Sequence, residues 1–279
     1  MSLLGLRKMS YLKGVKMKNQ FARPSVVKIH ASKKDGKTVL KDVFFTSPYK
    51  IMNPFYRNGD FMTIMCMSAS AGIMAGDIQE FSFTIDEGAK LEFISQSYEK
   101  IHKMEQGFAC RNTEISVGKD ACFYYNPMPT QPFKDSAYKS IVNVHLEDSS
   151  SQFIMKEIIT GGRTLCGECF EYTFYDNLVN IYIGDLLVYR DNTRFHPEEM
   201  NLSGIGFHEN FTHMGTLLLF HVKKDTQWIK QAQELLDQTP NLEGGVTRID
   251  SIAIMIRVLG YQGEQLEQIL DQIIHMSEI

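Results

Sequence analysis

Three carboxylates stand where chemistry could use them. Gly76-Asp77 follows the small-residue loop Ser68-Ala69-Ser70-Ala71-Gly72, Glu157 lies inside the apolar run 153–159, and Glu168 closely follows Gly162-Arg163. A carboxylate in an apolar strand has to be paired, hydrated or set in a polar cavity, because bare burial costs too much. Arg163 is the natural local partner. Two arrangements follow: a structural Glu157–Arg163–Glu168 ion cluster, or acids whose environment perturbs them for function.

The sulfur and imidazole groups offer less. Cys166-Gly167-Glu168-Cys169 is a CxxC, but a structural zinc site needs a second pair of ligands, and no other CxxC or closely spaced histidine pair exists. The segment reads as a strand, where positions three apart point to opposite faces, so the two thiols diverge and count as ordinary strand cysteines; a metal or redox role is the alternative. The run Phe61-Met62-Thr63-Ile64-Met65-Cys66-Met67 could hold Cu(I) through thioethers, yet both its faces are apolar, as in a buried central strand with methionine filling gaps. His208 and His213, the nearest pair among eight histidines, are expected as solvated or core side chains.

Familiar catalytic signatures are missing. The chain contains no GxSxG, GxxxxGK[ST], HExxH or GxGxxG, so any nucleotide hydrolysis belongs to a partner. An enzyme would have to be a carboxylate-dependent hydrolase with Asp77 and Glu157 as acid and base. With 29 basic against 33 acidic side chains and a formal net charge of -4, the field offers a nucleic-acid backbone no attraction. No window approaches the 18 or so consecutive apolar residues of a membrane span. Five cysteines, odd in number and scattered, point to a reducing cytoplasm rather than a secreted disulfide framework.

The elements that must position these residues are mostly strands. From about Val26 to Val222 short alternating runs are broken by Gly, Asn, Asp and Ser. The clearest puts Phe81, Phe83 and Ile85 on one face. It is expected to turn through Glu87-Gly88-Ala89 and return as a hairpin through Leu91 and Phe93, with a second such pair joined at Gly118-Lys119-Asp120. Pro127-Met128-Pro129-Thr130-Gln131-Pro132 must be a rigid extended loop. Further strands are expected near 138–146, 152–160, 168–175 and 178–183. The period then changes: 226–238 places Trp228, Ala232, Leu235 and Leu236 on one helical stripe behind the N-cap Asp225, and a helix near 263–276 carries Leu266, Ile269, Leu270 and Ile273. The pattern predicts a mainly β (α+β) chain of antiparallel stacked or barrel-like sheets with a helical C-terminal end, no sequence repeat, and one domain over 26–279 behind a basic, disordered arm at 1–25.

In order and spacing, these residues resemble the UreD (UreH) family of urease accessory proteins from about Ala31 onward. The resemblance rests on the loop ending in Gly76-Asp77, Gly88-Ala89, the stretch Ile94-Ser95-Gln96-Ser97-Tyr98-Glu99-Lys100-Ile101, the proline segment through Phe133, Gly162-Arg163 with Gly167-Glu168-x-Phe170, and Gly245-Val246. Departures are Ala71 at a usual glycine, Ser97-Tyr98 at a frequent double alanine, and Cys169. The resemblance implies a non-catalytic chaperone that binds the accessory protein UreF, through it the GTPase UreG, and apo-urease, with a dimer as one form of the accessory complex. It also implies an internal passage for Ni²⁺, with no tightly bound cofactor. Asp77, Glu157 and Glu168 match acidic positions of the family's motifs and take the passage role; Arg163 would orient a carboxylate, and Ser95 and Gln96 could line the same cavity. Oxygen ligands suit a metal that must be released, whereas a thiolate or imidazole cage would trap it. An assembly scaffold that never touches metal is the remaining alternative.

Overall fold

The computed structural model describes residues 23–56 and 59–276. The basic arm expected over 1–25 lies, but for its last three residues, outside the described residues. The chain opens with β1 (Ser25–Lys34), β2 (Lys37–Phe45), the short β3 (Tyr49–Ile51) and β4 (Phe55–Tyr56), and β5 (Met62–Ser68). There follow β6 (Ile78–Ile85), β7 (Lys90–Ser95), β8 (Glu99–Ile101), β9 (Ala109–Val117), β10 (Cys122–Asn126), β11 (Thr130–Pro132), β12 (Ala137–Leu146) and β13 (Gln152–Thr160). The last third holds β14 (Phe174–Ile183), β15 (Leu186–Phe195), β16 (His213–Phe220), α1 (Thr226–Gln238), β17 (Leu242–Ile249), β18 (Ala253–Gly260) and α2 (Gly263–His275).

These strands form two stacked sheets, and neither closes into a barrel. The first runs β15-β14-β12-β9-β6-β1-β2; the second runs β17-β18-β16-β13-β10-β7-β5-β3, with β4, β8 and β11 attached at its margin. The expected hairpins at Gly88 and Gly118 are therefore corrected. β6 and β7 lie in different sheets, as do β9 and β10, and the central pairings β6–β9, β9–β12, β5–β7, β7–β10 and β10–β13 are parallel. Both turn types bring the chain back, but here it returns on the facing sheet. A few extended residues at about 3.3 Å each span the ~10 Å between stacked sheets. Each rung supplies the crossover that the parallel neighbours of the other sheet need.

The turns of successive rungs stack on one another. Gly88 N–H donates to Lys119 O at 2.8 Å, Cys122 N–H to Ala89 O at 2.9 Å and Gln152 N–H to Ala121 O at 2.8 Å. Antiparallel pairs appear only outside this coil, at β1–β2, β14–β15, β3–β5, β4–β5, β13–β16, β16–β18 and β17–β18.

Alternation along each strand decides what fills the space between sheets. Phe81, Phe83 and Ile85 meet Leu91, Phe93, Phe123 and Phe153, with the Phe83 and Phe93 rings edge-on at 4.9 Å. β5 puts Met62, Ile64 and Cys66 into this core. The outer face of the second sheet is covered by the helices: Trp228, Ala232 and Leu236 of α1, and Leu266, Ile269, Leu270 and Ile273 of α2, pack on Leu217, Leu219, Ile254 and Ile256. Asp225 caps α1, its carboxylate accepting from Trp228 N–H at 2.7 Å. Among the described residues no helix is long and apolar enough to cross a membrane.

Candidate functional site

At the end of the sandwich opposite the stacked turns, the apolar filling gives way to polar side chains. Gln79, Arg111, Ser140 and Asn177 are register partners across β6, β9, β12 and β14, so one row of four buried polar groups faces inward from the first sheet. Glu157, Thr216 and Arg257 are register partners across β13, β16 and β18 and form the facing row of the second sheet. Tyr138 and Tyr175 flank the first row on its outer side, and Phe81, Val142 and Val179 follow on its inner side. Buried polar groups in such a seam need partners. Arg111 Nε donates to Gln79 Oε1 at 2.9 Å and Nη1 to Glu99 Oε2 at 2.6 Å, while Asn177 Nδ2 donates to both carboxylate oxygens of Glu157 at 2.9 Å. Farther along, Arg257 donates to Asp191 at 2.7 Å.

Two cavities follow the seam. An outer chamber of about 400 Å³ is walled by Asp77, Ser95, Gln96, Tyr98, Glu99 and Arg111, among others. An inner cavity of about 30 Å³ is lined by Glu157, Tyr138, Ser140 and Tyr175. Glu99, Arg111, Tyr125 and Pro127 belong to both walls. Asp77 accepts from Met74 N–H at 2.8 Å, and Ser95 Oγ accepts from Met128 N–H at 2.8 Å. Burial raises the pKa of Asp77 above the ordinary carboxylate value, with the Met74 bond opposing it. Glu157 keeps partial accessibility because it faces the inner cavity, yet it is surrounded by protein. Burial, with the charge of Asp191 second, pushes its pKa up to about 7 against the opposing pull of Arg257 and of the Tyr175 and Asn177 hydrogen bonds.

The six residues singled out from sequence are thus divided. Asp77, Ser95 and Gln96 share the outer chamber, and Glu157 lines the inner cavity. Asp77 and Glu157 line different cavities, so the two acids expected as a hydrolase pair do not face one common space. Glu168 lines neither. It grips Arg163, whose guanidinium lies 4.4 Å over the Phe133 ring, and this hydrogen bond holds the Glu168 pKa below the usual range. Glu157 is held by Asn177 and Tyr175, so the three-membered cluster with Arg163 reduces to the Arg163–Glu168 pair.

The strand expected over 168–175 is likewise absent: Thr164–Cys166 is a 3-10 turn, closed by Gly167 at φ 83, and Phe170 sits at φ 55, so strand geometry begins only at Phe174. The CxxC lies on this turn rather than in a strand, with Cys166 exposed and Cys169 packed under Gly161. Among the described residues no three His, Cys, Asp or Glu side chains gather as a metal cage. His208 and His213 are buried, and desolvation lowers both pKa values to about 4; the His208 ring packs against Phe170 at 4.6 Å and Phe195 at 5.1 Å.

Sequence reading missed Gln79, Glu99, Arg111, Ser140 and Asn177. Four of them carry one shared signal: each is the polar residue at the start of an inward face that is otherwise chiefly apolar, as in Gln79-Phe81-Phe83-Ile85 and Asn177-Val179-Ile181. Glu99 has no such signal. It meets Arg111 of β9 from β8, a short strand held between β11 and Ile73.

The sequence matches a known family. Residues 24–278 match the sequence model of the UreD urease accessory protein family. The chain is 38% identical over 255 residues to the urease accessory protein UreD of Acetivibrio thermocellus, covering 91% of this chain and 97% of that one. It is 34% identical over 239 residues to the urease accessory protein UreH of Helicobacter pylori strain J99, covering 86% and 89% of the two chains. With UreH of Helicobacter hepaticus it shares 32% over 251 residues, 90% and 97% of the respective lengths. With a match that runs through every described strand and both helices, the chain belongs to the UreD family of urease accessory proteins.

Proposed function

We propose that this protein conducts Ni²⁺ to apo-urease through the seam between its two sheets while bridging UreF, and through UreF the GTPase UreG, to the urease apoprotein. The observation that carries this reading is the facing pair of polar rows, which leads from an open chamber bearing Asp77 to the enclosed carboxylate of Glu157. A sandwich has no packing need for buried ionic rows, and apolar side chains there would be at least as stable. Spaced single carboxylates, amides and hydroxyls bind a hard or borderline cation weakly enough to release it. Ni²⁺ is cargo here, not a resident cofactor. Glu168 and Arg163 act outside the route, holding the loop 161–173 against Phe133.

Maturation of apo-urease with UreF, UreG and limiting NiCl₂ tests the reading. The double variant Asp77→Asn with Glu157→Gln should still co-purify with the partners but deliver several-fold less nickel, and extra NiCl₂ should restore part of it, since weak transit sites respond to mass action. Full nickel content in urease matured by a folded, assembled double variant would leave only the scaffold role.

A further inference from the structure

One ion pair stands between the outer chamber and the inner cavity. Glu99 and Arg111 line both, and Arg111 grips the carboxylate with two nitrogens. The partners differ in access: the Arg111 side chain is 7% exposed and that of Glu99 23%. Arg111 has supports besides Glu99. Its Nε is held by Gln79, its guanidinium lies 4.4 Å over the Phe81 ring, and the hydroxyls of Tyr49 and Tyr125 face it. Burial works most strongly against its charge, but the Glu99 carboxylate together with Tyr138, Tyr49 and Tyr125 more than offsets it, so the guanidinium stays charged. Glu99 sits on a three-residue strand at the irregular end of the coil.

A fixed guanidinium at this boundary repels a cation that tries to pass it. The inner cavity, at about 30 Å³, has room for roughly two or three waters at about 10–15 Å³ each, so an octahedral aquo ion with its six waters does not enter intact. Protein oxygens have to replace waters here, and Glu99 is the carboxylate at the boundary. We propose that Glu99 is a Ni²⁺-contacting residue of the route and that Arg111 is its exchangeable counter-ion, so that a divalent cation enters the inner cavity by taking Glu99 from Arg111. This assignment rests on the passage reading above. In the closed state neither charge is left alone. During exchange Gln79, the Phe81 ring face and the two tyrosines hold the guanidinium, and once the ion has moved on to Glu157 the pair closes again. A monovalent ion brings half the charge against a bidentate grip and does not open it.

The test uses the full chain with UreF, UreG, GTP and apo-urease, with NiCl₂ as the probe. Each variant is first checked for assembly by gel filtration and for thermal unfolding. Glu99→Gln leaves an unopposed guanidinium, so urease nickel should fall about ten-fold and additional NiCl₂ should not restore it. Arg111→Gln leaves an unopposed carboxylate, so metal analysis of the accessory complex after gel filtration should show retained nickel that wild type does not hold. The double variant carries neither charge and should show no retained nickel, while transferring more than Glu99→Gln alone because the unopposed guanidinium is gone; transfer no better than Glu99→Gln would overturn the counter-ion role of Arg111. A merely structural pair would not produce retention. Should Glu99→Gln fail to assemble, Glu99→Asp keeps the charge with a shorter reach, and the NiCl₂ concentration for half-maximal loading should drop; an unchanged value overturns the proposal. If Glu99→Gln loads urease like wild type while Glu157→Gln does not, Glu99 is off the route and the passage stands. If neither variant lowers urease nickel, the passage reading itself has failed.

Discussion

Replacing Glu157 by Gln should make this protein more stable at pH 8 and slightly less stable at pH 4. Burial raises the Glu157 pKa from 4.5 to about 7. A carboxyl whose folded pKa lies above its unfolded value contributes its full stability below the unfolded pKa, and that contribution is lost as pH rises through the folded pKa. At about 1.4 kcal/mol per pH unit, the interval amounts to roughly 3 kcal/mol lost between pH 4.5 and 7, an upper bound because the inner cavity admits some water. Glutamine removes that penalty but offers one acceptor where Asn177 now donates to two oxygens, a loss of about 1 kcal/mol. The variant-minus-wild-type difference should therefore run from about -1 kcal/mol at pH 4 to about +2 kcal/mol at pH 8. Urea titrations followed by the fluorescence of Trp228, the single tryptophan, measure it directly. A difference that does not change with pH would show that Glu157 is not held neutral by its surroundings. The expected sign matters for function, because a residue that lowers stability at neutral pH and lines a cavity is explained by use rather than by packing.

Two further outcomes follow from the geometry. His208 and His213, lowered by burial to about 4, stay neutral in the fold while the unfolded chain protonates near 6.5, so their stability is present above pH 6.5 and is lost as pH falls toward 4, by up to about 3 kcal/mol each; the urea midpoint should fall over that window, the double variant His208→Gln with His213→Gln should flatten the fall, and an unchanged slope would refute the assignment. Gly118→Ala places a Cβ 2.9 Å from Glu87 N and 3.1 Å from Asp86 C, backbone atoms of the turn stacked beside it, and should cost about 1–3 kcal/mol, whereas Gly245→Ala enters open space and should leave the midpoint within about 0.5 kcal/mol.

Local sequence determined what each segment is. Alternation of apolar residues marks β6 over Phe81, Phe83 and Ile85; the stripe Trp228, Ala232, Leu236 and the Asp225 cap mark α1; and apolar surroundings mark Glu157 as an acid that needs an explanation. These signals are local because side-chain period and capping are set within one or two turns of chain. The strand expected at Glu168 failed on the same scale, since left-handed backbone at Gly167 and Phe170 overrides an alternation that is only eight residues long.

Which strands become neighbours was decided by the tertiary structure. A glycine turn of four residues serves equally for a hairpin and for a step to the facing sheet, and the choice depends on the stacking of turns at 86–89, 118–121 and 147–151, which are about thirty residues apart in sequence. The seam depends on that choice. Gln79, Arg111, Ser140 and Asn177 each look like a lone polar residue at a strand start, and become one row only when parallel rungs set them in register. Glu99 meets Arg111 and Glu157 meets Asn177 across contacts that no local period encodes, because a hydrogen bond depends on distance in space and the chain's local pattern carries no record of which distant segment will supply it.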